Sequence, residues 1–79
     1  MNHYLATFHT HLAALKTHRN LVGKGVEARM SPVPRKISSS CGTCVQYFAA
    51  DPMESSIDID VEAIYRLDGE TVVLLKEFE

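Results

Sequence analysis

The sequence predicts an α+β domain, a split β-α-β sandwich with an extra C-terminal strand. Three observations carry this. The elements read, in order, as strand, helix, strand, strand, short helix, strand, strand. The length of 79 residues admits one small domain, residues 1–79. Asp68–Gly69, between two aliphatic runs, is a hairpin signal that adds a strand after the fourth.

Each element has a local cause. In His3–Phe8, Tyr4, Ala6 and Phe8 alternate with His3, Leu5 and Thr7, and Leu5 makes the second face partly apolar. That is the pattern of a central strand covered on one face and partly on the other. Thr10–Lys24 reads as a helix whose buried face is Leu12, Leu15 and Val22, with Ala14, His18 and Leu21 beside them. Thr10 can cap its first turn, and Gly23 and Gly25 can end it. Val26–Pro34 reads as a strand, and Pro32 and Pro34, lacking backbone donors, put it at a sheet edge. The serine-rich stretch Arg35–Gly42 is a loop. Thr43–Ala50 is a strand of β-branched and aromatic residues. Asp51, Pro52 and Glu54 read as the cap, first residue and capping-box partner of a short helix that ends before Asp58 and Asp60. Val61–Leu67 and Glu70–Phe78 are the last two strands. Together these give a ferredoxin-like sandwich with strand order five-four-one-three-two.

Composition narrows the function. Hydrophobic residues make up 46% and charged residues 23%, as in a folded domain. Eight Lys and Arg stand against ten Asp and Glu, and Arg35–Lys36 is the only adjacent basic pair, which argues against nucleic acid. The longest aliphatic run, Val72–Leu75, is far too short for a membrane span. Met1–Phe8 lacks the basic region of a secretory signal, so the expected compartment is the cytoplasm, with Cys41 and Cys44 reduced.

The chemistry concentrates in Pro32–Cys44. Two cysteines three positions apart suit a dithiol couple, half of a metal site, or a persulfide carrier with a resolving thiol. The pair precedes a strand rather than opening a helix, unlike the thioredoxin arrangement. Ser38, Ser39, Ser40 and Gly42 can turn hydroxyls and backbone N–H groups toward an anion, and Arg35 and Lys36 add positive charge. Such surroundings favour a thiolate. The split topology brings the helix start, His9, Thr10 and His11, to the same end of the sheet. A histidine there can take the thiol proton, or Cys41, Cys44, His9 and His11 can form a zinc site. His18 reads as a packed, hydrogen-bonded residue, Asp58 and Asp60 as solvent-facing, and Met30 and Met53 as core. No Ser-His-Asp triad or phosphate-binding glycine loop is present.

The run Pro34–Gly42 (PRKISSSCG), with Ala6–His9 (ATFH) before the helix and Ile64–Arg66 (IYR) in a late strand, resembles the selenium/sulfur carrier-like family of small domains. The resemblance covers most of Tyr4–Leu67. It implies that Cys41 is the functional cysteine. This chain departs from the family in having Cys44 where a small apolar residue is usual, a truncated second helix and an additional terminal strand. The implied function is a carrier that holds a persulfide or selenide on Cys41, with Cys44 as resolving thiol. Arg35, the serine hydroxyls and the helix start would hold the charge. Donor and acceptor proteins are the implied partners. The carrier needs no cofactor; the alternative is a zinc-binding or structural module. The apolar last strand points to a homodimer.

Overall fold

The computed structural model describes residues 1–78; Glu79 lies outside them. The elements are β1 (Asn2–Phe8), α1 (His11–Gly23), β2 (Glu27–Pro32), β3 (Thr43–Ala49), a 3₁₀ turn (Glu54–Ser56), β4 (Val61–Asp68) and β5 (Thr71–Glu77). All strand pairs are antiparallel, and the sheet order is β2-β3-β1-β4-β5, the order the sequence predicts.

Strand alternation divides the apolar residues between the two faces. On one face α1 covers Tyr4, Ala6 and Phe8 of β1, Val45, Tyr47 and Ala49 of β3, and Ile64 of β4. On the other, Leu5 and Cys44 lie beneath Ile37, which the loop between β2 and β3 folds back over the sheet. Leu5 and Thr7 are therefore fully buried as well, so β1 is covered on both sides. Met30 and Met53 pack against the helix-side core, and His18 Nε2 bonds the Ala28 carbonyl at 3.2 Å.

The buried face of α1 differs from the expected one. Ala13, Ala14, Thr17 and Leu21 are buried, whereas Leu12, Leu15 and Val22 are 57%, 38% and 51% exposed. The cause is volume. Tyr4, Phe8 and Tyr47 already fill much of the sheet face, so the first turns of the helix present Ala13, Ala14 and Thr17, and Leu21 is the one large side chain of α1 buried there. Further leucines on that face would overpack the core. The caps form as the sequence predicts: Thr10 Oγ1 accepts the Ala13 N–H at 3.1 Å, and Gly25 (φ +79°) takes the left-handed conformation after the helix.

The second helix is not formed beyond the 3₁₀ turn. Asp51 Oδ1 accepts the Met53 N–H at 2.8 Å, and Met53 is left-handed (φ 55°). The Asp51 bond is the one a cap would make, but the left-handed Met53 turns the chain out of a right-handed helix directly after Pro52. The Glu54 carboxylate pairs with Lys76 Nζ at 3.1 Å rather than closing a capping box. The hairpin is shifted by one residue: Asp68 pairs with Thr71, and Gly69 (φ +64°) and Glu70 form the loop. A left-handed first loop residue is the requirement of a type II′ turn, and glycine meets it without strain.

Candidate functional site

One end of the sheet gathers the end of β1, the start of α1, the end of β2 and the starts of β3 and β4. Its parts are tied together. The His9 N–H donates to the Asp60 carbonyl at 3.1 Å, Thr10 Oγ1 donates to Asp60 Oδ2 at 3.3 Å, and His11 Nδ1 lies 3.3 Å from Thr43 Oγ1. The Cys41 loop closes where the Val33 N–H donates to the Gly42 carbonyl at 3.0 Å. Gly42 (φ +73°) makes the left-handed step between the loop and β3.

The two thiols are both free, and they occupy different environments. Cys41 is half-buried and packs against the helix-side core, with Sγ 3.4 Å from the Thr43 carbonyl. Cys44 is fully buried with Leu5 and Ile37 on the opposite face. Burial pushes the Cys44 thiol above its ordinary pKa, against the opposing hydrogen bond with Ser31. Cys44 Sγ lies 3.3 Å from Ser31 Oγ and 3.7 Å from the Pro32 carbonyl. Ser31 is the end of a polar chain across the sheet: His3 Nε2 donates to Gln46 Oε1 at 2.8 Å, and Gln46 Nε2 to Ser31 Oγ at 2.9 Å.

The serine loop does form an anion cradle, and the anion in it is Glu62. Ser39 Oγ and the Ser40 N–H donate to Glu62 Oε1, each at 3.0 Å, and Ser40 Oγ donates to Oε2. His9 Nδ1 stands 3.5 Å from Oε2. Burial would push the Glu62 carboxyl up, but the Ser40 and Ser39 hydrogen bonds and the nearby His9 outweigh it and hold the group below its ordinary value. Lys36 Nζ donates to the Glu70 carbonyl at 3.1 Å and fastens the loop to the β4–β5 hairpin. Arg35 and Ser38 are exposed on the same loop. The hydroxyls of Ser39 and Ser40 thus hold the loop that carries Cys41 rather than pointing at its sulfur.

Among the described residues no group of three or more His, Cys, Asp and Glu is placed to hold a metal ion. The side chain of Thr43, bonded to His11, alternates along β3 with that of Cys44, so Cys44 faces away from His11. The four residues considered for zinc therefore do not converge. A concavity of about 330 Å³ lies on the open sheet face, lined by Glu27, Ala28, Arg29, Gln46 and Phe48, with neither cysteine in its wall.

Residues 3–66 match the model of a protein family described as "Putative Se/S carrier protein-like". The chain belongs to this family. No curated protein and no solved structure matches it. The match to the Se/S carrier-like family takes in the serine loop, Cys41, Cys44 and Glu62, and stops before β5, the strand that the sequence marks as additional.

Sequence reasoning did not single out Glu62, or the chain of His3, Gln46 and Ser31 behind Cys44. Glu62 had one readable signal. It is the acidic residue at the start of a strand that the split topology brings to the same end as the serine loop. The His3–Gln46–Ser31 chain had none, because it depends on strand register.

Proposed function

We propose that this Se/S carrier-like domain holds sulfur or selenium on Cys41, as a persulfide or selenide, and passes it from a donor protein to an acceptor protein. The observation that carries this reading is the contrast between the thiols. Cys41 is reachable, lies in a loop braced by Glu62, and falls within the segment matched by the family, whereas Cys44 is buried and shifted toward the inert thiol form.

In the sulfur case, the Cys41 thiolate attacks the terminal sulfur of a donor Cys–S–SH. The bond from that sulfur to the donor Sγ breaks, the donor leaves as a thiolate, and Cys41–S–SH forms. An acceptor nucleophile then takes the terminal sulfur, and Cys41 leaves as a thiolate. Neither step needs an oxidant or a cofactor. The start of α1, with Thr10 and His11, stands at the same end and favours negative charge there. Attack by Cys44 on Cys41 Sγ would release HS⁻ and leave a Cys41–Cys44 disulfide. With the two thiols on opposite faces, it requires Thr43 and Cys44 to leave the sheet, so acceptor attack is the default release. A reducing compartment such as the cytoplasm keeps both thiols available. A second copy of the chain is a further partner, pairing at the β5 edge, where Leu74 and Leu75 are exposed.

Incubation with a cysteine desulfurase and L-cysteine, followed by intact mass measurement, tests the assignment. The expected result is one added sulfur on the wild type and on Cys44→Ser, and none on Cys41→Ser. Addition to Cys41→Ser, or to none of the three, overturns it.

A further inference from the structure

We infer that Ile59 is the anchor on which a persulfide-donor protein docks, with Leu12 in the first turn of α1 as a secondary contact at the same end, and that the donor presents an apolar cleft rimmed by Lys or Arg. This rests on the carrier reading of Cys41. Ile59 is 97% exposed and Leu12 57%. A single exposed apolar side chain is ordinary, but the backbone on both sides of Ile59 is hydrogen-bonded. The Asp58 N–H donates to Thr17 Oγ1 at 2.9 Å, and the Asp60 N–H to Asp58 Oδ2 at 3.1 Å. The Asp60 carbonyl accepts from His9 at 3.1 Å, and the Val61 N–H donates to the Asp58 carbonyl at 3.2 Å. Thr10 adds a bond to Asp60 Oδ2. The isoleucine is thus presented on a fixed support, and little further ordering accompanies its burial by a partner.

Position and charge specify the partner. Asp60 is two residues from Glu62, and Glu62 is bonded to Ser40, the neighbour of Cys41. The anchor and the thiol therefore belong to one end of the molecule. Cys41 is half-buried, so sulfur exchange requires the donor to seat closely on this end. Asp58 and Asp60 flank Ile59 directly. Their charge complements a basic rim and repels an acidic one. An apolar anchor acts most strongly when the partner closes over it and excludes water.

The test compares two routes to the same product. Wild type and the variants Ile59→Ser and Leu12→Ser are loaded either by a cysteine desulfurase supplied with L-cysteine or by inorganic polysulfide. The rate of sulfur gain on Cys41 is read by mass. With the desulfurase, Ile59→Ser is expected to lower kcat/KM by about tenfold, chiefly through KM, and Leu12→Ser by less. Loading by polysulfide, which needs no docking surface, stays at the wild-type rate and reports an intact site. The desulfurase reaction of the wild type slows as salt is raised from about 0.05 to 0.5 M. Equal desulfurase rates for Ile59→Ser and wild type overturn the docking assignment. So does loading of the wild type by polysulfide but not by the desulfurase. Failure of both reagents to load Cys41 overturns the carrier reading itself.

Discussion

At the scale of single residues, burial separates two chemically identical thiols. Cys44 is the inner of the pair, with no exposed surface and a pKa raised by desolvation, whereas Cys41 is partly open. Since the thiolate is the reacting species, access and ionisation act in the same direction. Cys41 should be alkylated first at neutral pH. Cys41→Ser should abolish fast labelling by iodoacetamide, and Cys44→Ser should leave it essentially intact. Equal labelling of the two variants would show that Cys44 is not shielded in solution. Glu62 makes the second residue-scale prediction. Its carboxylate receives three hydrogen bonds from Ser39 and Ser40, so Glu62→Gln should cost about 1–3 kcal/mol at neutral pH. The Glu62 pKa is lowered in the fold. Its contribution is therefore complete above the ordinary value of 4.5 and is lost as pH falls through the lower folded value. Urea unfolding should thus show a wide gap between wild type and Glu62→Gln at neutral pH that narrows in strong acid. A gap independent of pH would assign the loss to packing instead of charge.

Among elements, α1 shows where reading a sequence succeeds and where it stops. Its limits were legible because they depend on neighbours in the chain: a threonine hydroxyl at one end, a left-handed glycine past the other. Its buried face was not, because the 3–4 spacing fits two stripes. The volume of Tyr4, Phe8 and Tyr47 across the interface chose the smaller. Leu21→Ala should therefore cost about 2–5 kcal/mol, while Leu15→Lys should change stability by no more than about 0.5 kcal/mol. Chemical denaturation of the two variants checks this, and a large loss from Leu15→Lys would restore the leucine face. The same division holds at the site. Cys41 and its serine loop could be read from the chain because they are contiguous. Glu62 comes from a strand 22 positions after Ser40 and meets it only when the sheet forms. The second helix failed for a local reason: Asp51 makes the bond expected of a cap, but Met53 takes a left-handed conformation that a right-handed helix cannot contain.

On the scale of the whole molecule, the two sheet edges are treated differently. The β2 edge is guarded: Pro32 has no N–H to offer, His18 covers the Ala28 carbonyl, and the Val26 N–H is spent on the Leu21 carbonyl. The β5 edge carries Leu74 and Leu75 at 50% and 39% exposure. An unguarded, apolar edge strand is a template for another strand. The economical partner is β5 of a second copy, because an antiparallel two-fold pairing gives both chains the same contacts and closes the assembly at two. Sedimentation should then show a dimer at high micromolar concentration and dissociation on dilution. Leu74→Lys, which adds a charge on that edge without touching the core cluster around α1, should leave a folded monomer. A wild type that stays monomeric at high micromolar concentration would refute the pairing. This pairing uses the outer edge of β5 and leaves Cys41 itself reachable, because Cys41 packs against the helix-side core, while Ile37 and Lys36 of the same loop meet Val72 and Glu70. Sulfur loading should consequently proceed at the same rate per chain in the dimer and in the Leu74→Lys monomer.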